Sequence, residues 1–155
     1  MKILRIDDRL IHGQVIVGWV KKLGLDSLIL LHKSMDNDII ELYAGMLENE
    51  VDFKPVNIEE NTEIPVKINS IYIAGSIGTV YEIKDKLAAL KFDIFNIGGL
   101  RTKESKIKLL DFVYMDKVEM QKTLEISVVL KSRTNAQELP ESENFNILKI
   151  IKEHL

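Results

Sequence analysis

The chain has 155 residues, a formal net charge of −3, 46% apolar and 29% charged residues, three histidines and no cysteine. That is enough for one ordinary domain with a full core, and it excludes disulfides, a thiolate nucleophile and cysteine-based metal sites. Acids and bases are interspersed, leaving no basic footprint for nucleic acid. No stretch approaches the roughly 20 apolar residues that cross a bilayer, and the opening run is broken too early for a signal peptide, so a cytoplasmic protein is expected.

Short apolar runs alternate with helical patterns. Lys2–Ile6 reads as a strand and Asp7–His12 as a polar loop. Gly13–Leu23 carries Val15, Ile16, Trp19, Val20 and Leu23 on one helical face, with Gly24 as a natural stop. Ser27–Leu31 is continuously apolar, as a strand covered on both faces would be. Asp36 can cap a helix over Asn37–Glu48, with Ile39, Ile40, Tyr43, Met46 and Leu47 facing inward. Val51–Ile58 alternates around Pro55, which confines it to an edge or irregular strand.

Ser70–Ala74 is a further buried strand. Thr79 and Glu82 fit a capping box that opens a helix reaching Leu90, and Phe92–Ile97 is the next strand. Asp116 and Glu119 form a second capping box, predicted to start a short helix, and Ile126–Leu130 reads as a late strand. Thr134–Asn144 is polar enough to be a mobile connection to a C-terminal helix over about 141–155, with Phe145, Leu148, Ile151 and Leu155 on one face. The alternation predicts a single α/β domain: an open, mainly parallel sheet with helices on both faces.

In such sheets ligands bind beyond the carboxyl ends of the strands. The loops expected there are Asp7–Gly13, His32–Met35, Gly75–Thr79 and Gly98–Thr102. The first is preceded by Arg5 and holds Asp7, Asp8, Arg9 and His12 just before a helix start, whose free N–H groups suit an anion. Arg9 can grip phosphate oxygens in a fork. A histidine, with an unperturbed pKa near ~6.5, is a nucleophile near neutrality. Asp7 or Asp8 can accept from one ring nitrogen and leave the other to attack, while Gly13 admits close approach of the backbone. Phosphoryl transfer rests on such positioning and charge stabilisation. The competing reading makes Asp7, Asp8 and Arg9 turn residues with local ion pairs and His12 a capping residue.

The segment Arg5-Ile-Asp-Asp-Arg-Leu-Ile-His-Gly-Gln-Val15, followed by Trp19, resembles the active-site loop of the IIB components of the bacterial sugar phosphotransferase system, mannose/fructose/sorbose family. Phe95-Asn-Ile-Gly-Gly99 is similar to a second segment of those proteins, and the element order fits along nearly the whole chain. The resemblance implies a protein-Nπ-phosphohistidine–sugar phosphotransferase. His12 would be the phosphorylated nucleophile, Arg9 the phosphate-stabilising arginine and Asp7 the supporting carboxylate. Arg9, Gly13, Gln14, Gly98 and Gly99 would line the phosphate. The implied partners are a IIA phosphodonor and the membrane IIC and IID permease components, through which the protein would sit peripherally at the membrane; a homodimer is compatible with this. No cofactor, metal or nucleic acid is implied. Two other readings share the loop: a regulatory module of the same family, phosphorylated but feeding no transporter, and a small phosphate-ligand enzyme.

The chain departs from the family pattern at His32-Lys33-Ser34, in the Arg101–Lys106 loop after Gly99, and at Lys131–Thr134. If the first two strands are neighbours, His32 and Lys33 would add positive potential beside His12. A strand-end histidine is more often structural, and His154 lies at a fraying end. Ala74–Thr79 lacks the ending of a Walker loop, so a turn with a helix cap is expected there. Trp19 belongs to the helix's apolar face, and Lys21 and Lys22 solvate the helix end.

Overall fold

The computed structural model describes residues 1–60 and 63–155. Six strands form one parallel sheet: β1 (Lys2–Asp7), β2 (Ser27–His32), β3 (Asp52–Asn57), β4 (Ser70–Ala74), β5 (Ile94–Gly99) and β8 (Arg133–Ala136), in the order β3-β2-β4-β1-β5-β8. A separate antiparallel hairpin pairs β6 (Ile107–Leu110) with β7 (Val113–Met115). The inner strands β2, β4 and β5 are buried along their whole length, as apolar runs covered on both faces must be. β3, with Pro55, is an edge strand as expected.

Side chains alternate across the sheet and build two cores. Leu4, Ile6, Tyr72 and Ile97 pack with Ile77 and Val80 of α2 (Ile77–Glu82), Leu87 of α3 (Lys84–Ala88), Met120 and Ile126 of α4 (Lys117–Leu130) and Ile151 of α5 (Ile147–His154). Ile3, Leu28, Leu30, Ile71 and Ile73 pack on the other face with Val15, Trp19 and Val20 of a π-helix (Gln14–Lys21) and Leu47 of α1 (Asn37–Leu47). The chain leaving β1 therefore turns to one face and the chain leaving neighbouring β4 turns to the other. That divergence opens a crevice at the carboxyl ends of β1 and β4, the place where this class of sheet binds ligands.

Several local expectations are corrected. β1 is flanked by β4 and β5, so β4 separates the first two strands. The helix after His12 is wound with the wider π repeat, which buries Val15, Trp19 and Val20 but leaves Ile16 half-buried and Leu23 exposed. In α1, capped by Asp36 as expected, Leu47 is buried and Tyr43 half-buried, whereas Ile39 and Met46 are exposed. The cap of α2 is Ser76, whose hydroxyl accepts from the Thr79 N–H at 3.1 Å. Thr79 is thus already inside the helix, and the helical run to Leu90 is broken at Ile83 into α2 and α3.

The Asp116–Glu119 capping box forms with both of its bonds, but its helix runs 14 residues and absorbs Ile126–Leu130. Those residues keep helical spacing: Met120, Thr123, Ile126 and Leu130 are buried, while Val128, which a strand would turn inward with Ile126 and Leu130, is 72% exposed. The late strand is instead β8, which overlaps the start of the segment expected to be a connection. α5 begins at Ile147 behind an Asn146 cap, later than 141, and buries Ile147 and Ile151, with Leu155 exposed.

Candidate functional site

Beyond Lys2, β1 is apolar except at Arg5 and Asp7, which point to the π-helix side and are completely buried. A buried guanidinium must find partners for its charge and its N–H groups. Arg5 donates to Asn96 Oδ1 at 2.7 Å, to the carbonyls of Gln137 and Glu138 at 3.1 Å each, and to Asp7 Oδ2 at 3.0 Å. Its Cζ lies 4.8 Å from the centre of the Trp19 ring, and the Trp19 indole N–H donates to the Glu138 carbonyl at 2.9 Å. Burial pushes the Arg5 guanidinium down to about 10, against the raising effect of Asp7, so it remains a cation at neutral pH.

After Asp7 the chain turns sharply. The Leu10 N–H donates to the Asp7 carbonyl at 2.9 Å, and Leu10 takes a left-handed conformation, φ 55°, which costs on the order of 1 kcal/mol for a residue with a side chain. The side chain of Leu10 rests on Gly75 at the end of β4. This turn brings His12 back over the strand it has just left. The His12 carbonyl starts the π-helix, accepting from Val15 and Ile16, and no side chain caps that helix. The ring of His12 is directed onto Asp7, with Nε2 and Asp7 Oδ2 2.9 Å apart, which sets aside a side-chain capping role.

Asp7 is the hub. Oδ2 accepts from His12 and Arg5, and Oδ1 accepts from the Arg9 backbone N–H at 3.0 Å and from Arg101 at 3.2 Å. Burial alone would push this carboxyl up. The His12 hydrogen bond, the Arg5 charge and the Arg9 N–H outweigh it and hold Asp7 well below the usual carboxylate range. An ionised carboxylate can only accept, so the proton of the neutral imidazole sits on Nε2 and Nδ1 keeps its lone pair. No described residue hydrogen-bonds Nδ1, and the His12 side chain is 18% exposed. Arg9 is the more accessible cation beside it, 40% exposed, and Gln14 steadies it by accepting from its guanidinium at 2.9 Å.

The expected site residues Asp7, Arg9, His12, Gly13 and Gln14 thus form one cluster. Gly98 and Gly99 belong to it in a different sense from a bare phosphate cradle: each clears space for a guanidinium. A Cβ on Gly98 would lie 2.0 Å from Arg5 Cζ, and one on Gly99 would lie 1.9 Å from Arg101 Nη1. A Cβ on Gly13 would meet nothing within 4 Å, so the backbone there is open to an approaching group.

His32 and Lys33 do not add charge beside His12. The Lys33 ammonium is paired with Glu82 of α2, and His32 is nearly buried, its Nδ1 accepting from the Met35 N–H at 3.1 Å. Burial pushes the His32 ring below its ordinary pKa. Three residues to which the sequence assigned no role complete the site: Asn96, Arg101 and Glu138. Asn96 and Arg101 stand in or beside the Gly98-Gly99 segment. Glu138 comes from the chain leaving β8, and no local signal marks it.

No family model matches the sequence, and no curated protein matches it. Solved structures do. Over the whole of this chain and 98% of the other, the fold matches manxB from Thermoanaerobacter tengcongensis, with a TM-score of 0.80 and 22% identity. The IIBSor domain of the sorbose permease from Klebsiella pneumoniae matches with a TM-score of 0.77 and 23% identity, covering 100% of this chain and 99% of that one. The N-acetylgalactosamine-specific IIB component 1 from Escherichia coli matches with a TM-score of 0.77 and 22% identity, over 93% and 97% of the two chains. The likeness is one of fold over nearly the full length of each: the chain has the fold of the sugar-specific IIB components of phosphotransferase systems.

Proposed function

We propose that this protein is a IIB-type phosphocarrier in which His12 relays a phosphoryl group from a phosphohistidine on a IIA partner to a sugar delivered by membrane IIC and IID partners. The observation that carries the reading is the Asp7–His12 pair: Nε2 is held by an ionised carboxylate, while Nδ1, bonded to no described residue, keeps its lone pair on a partly exposed ring.

In the first half-reaction the Nδ1 lone pair attacks phosphorus, and the P–N bond to the donor imidazole breaks with its electrons returning to that ring. The His12 ring then carries a phosphoryl group on Nδ1 and a proton on Nε2, and Asp7 offsets the positive charge gained by the ring. Arg9 stabilises the charge on the moving phosphoryl oxygens, and the open backbone at Gly13 lets donor and acceptor approach closely. In the second half-reaction a sugar hydroxyl attacks the same phosphorus, the Nδ1–P bond breaks, and the ring returns to its starting form as the hydroxyl proton is lost to solvent. Metal is not needed in this scheme, because the charge is handled by side chains. The carrier would work on the cytoplasmic side, at the membrane through its partners; no helix among the described residues is long and apolar enough to cross it.

The test is incubation with phosphoenolpyruvate, the general phosphotransferase components and a IIA donor, followed by mass-spectrometric mapping of the acid-labile phosphate. One phosphoryl group on His12, absent from His12→Ala, is expected. Label on His32, or label that persists in His12→Ala, would overturn the assignment.

A further inference from the structure

Arg101 lies two residues beyond the end of β5, in the loop where the chain leaves the pattern of the proteins it resembles. Its backbone is pinned. Leu100 donates to the Phe112 carbonyl and accepts from the Tyr114 N–H, both at 2.8 Å, and the Arg101 N–H donates to Asp8 Oδ2. Gly99, with no Cβ, lets the guanidinium fold back over the strand end. There Nη1 donates to Asp7 Oδ1 at 3.2 Å and to Asp8 Oδ1 at 3.1 Å. Nη2 reaches the Gly98 carbonyl at 3.4 Å and stands 3.6 Å from Glu138 Oε1. One side chain, 27% exposed, thus touches three carboxylates from two segments distant in sequence.

Geometry separates its part from that of Arg5. Arg5 holds Asp7 from within the sheet, on the oxygen that also meets His12; Arg101 holds the opposite oxygen from the solvent side. A carboxylate grasped on both oxygens cannot rotate, so Oδ2 stays aimed at His12 Nε2. Arg101 also separates two like charges that are adjacent in sequence. With its cation gone, the Asp7 and Asp8 oxygens that now share one nitrogen would repel, and Oδ1 of Asp7 would keep only Arg9 as a partner, so the carboxylate would be held less firmly.

We infer that Arg101 is a positioning residue for phosphoryl transfer, acting through Asp7 to fix the His12 tautomer that leaves Nδ1 free. The inference rests on the phosphocarrier reading for its kinetic consequence, but its structural part stands on the unphosphorylated protein alone.

The experiment is nitrogen-15 spectroscopy of the protein specifically labelled in histidine, comparing the ring-nitrogen shifts of neutral His12 in the wild type, Arg101→Gln and Arg101→Lys. The charged groups that face the ring's partner are Arg5, Arg9, Arg101 and Asp8, with Glu138 beyond Arg101; only one of them changes. In Arg101→Gln the neutral ring should show a mixture of tautomers in place of the Nε2–H form, because Asp7 Oδ2 is no longer kept aimed at Nε2. Transfer from the IIA donor should slow at least tenfold. Arg101→Lys, which keeps the charge but not the fork, should recover the Nε2–H tautomer only in part.

Unchanged ring-nitrogen shifts in a folded Arg101→Gln overturn the inference. Failure of the phosphocarrier reading looks different: the wild type itself would take no label on His12 while these ring measurements still responded. If Arg101→Gln does not fold, Arg101→Lys carries the test alone, and a wild-type tautomer with wild-type transfer in that variant overturns the inference.

Discussion

Replacing Gly98 with alanine puts a methyl group into the space of the Arg5 guanidinium. The added Cβ would sit 2.0, 2.3 and 2.4 Å from Cζ, Nη1 and Nη2 of Arg5, where ordinary contact begins near 3.4 Å. The guanidinium must retreat by on the order of 1 Å, which takes bonds of 2.7–3.1 Å to Asn96, Gln137, Glu138 and Asp7 to or beyond the limit of useful hydrogen bonding. Arg5 has no room to comply, since it is completely buried and lies against Trp19. Disturbing a buried, hydrogen-bonded charge costs about 3–5 kcal/mol, a large share of the roughly 5–15 kcal/mol that holds a domain together. For a chain of this length that corresponds to a loss of roughly 10 °C or more in Tm. Differential scanning calorimetry, with Trp19 emission as a second probe, measures it. Gly13→Ala is the control: it meets nothing and has helical backbone angles, so it should hold or raise stability by up to about 1 kcal/mol. A Gly98→Ala protein melting within 2–3 °C of wild type, with unaltered emission, would show that Arg5 can relocate without penalty and would refute the reasoning.

Three further outcomes are expected. Arg9→Lys should keep the Tm within a few degrees, because an exposed arginine adds little to stability, yet slow transfer at least tenfold, about 1.4 kcal/mol of barrier; rapid-quench kinetics with a IIA donor decides this, and an unchanged rate would make Arg9 mere surface. Because the Asp7 carboxyl is held below its ordinary value of 3.8, the unfolded chain takes up its proton first on acidification. The stability this contributes is whole above pH 3.8 and is lost as pH falls below that value toward the native pKa. Thermal melts between pH 5 and pH 2 should therefore show a steeper acid limb in the wild type than in Asp7→Asn, which should itself be less stable at neutral pH because Arg5 is left unpaired. Finally, Trp19 is the one tryptophan and stacks on Arg5, which shares Asp7 with His12; phosphorylation should change its emission, and a response that survives in His12→Ala would disconnect the two.

Much of the architecture was legible because local rules and tertiary packing agree. Buried runs such as Ser27–Leu31 and Ser70–Ala74 have no polar face to disguise them, Pro55 marks an edge, and Asp116 with Glu119 announces a helix start. The errors lie where two local signals compete. Ile126–Leu130 is rich in β-branched residues, but it follows a strong cap in helical register, and the cap prevails because the α4 face packs as a unit. β8 was hidden because Arg133–Ala136 contains a single apolar residue and owes its place to polar partners. At the site, the His12 loop was readable because its residues are contiguous. Arg5 advertised itself as a charge inside an apolar strand, but its partners are distant in sequence, and Glu138 joins only because β8 lies beside β5. The two readings of Lys33, beside His12 or out to solvent, could not be separated locally, because the strand order, which inserts β4 between β1 and β2, is not a local property.

The polar contacts between Arg5, Asn96 and Asn135 also bear on strand alignment. Arg5 is set opposite Asn96, and Asn96 opposite Asn135, in consecutive strands, and the amide of Asn96 donates to Asn135 at 2.8 Å. A strand as short and polar as β8 has almost no apolar pattern by which to find its place, and a slip of one residue would turn every side chain to the opposite face. Any such slip would leave the Asn96 amide unpaired in the interior and thrust the Asn135 side chain among the apolar residues of the α4 side. The buried row therefore acts as a ruler laid across β1, β5 and β8: the contacts that orient Asp7 under His12 also admit only one alignment of the sheet's last edge.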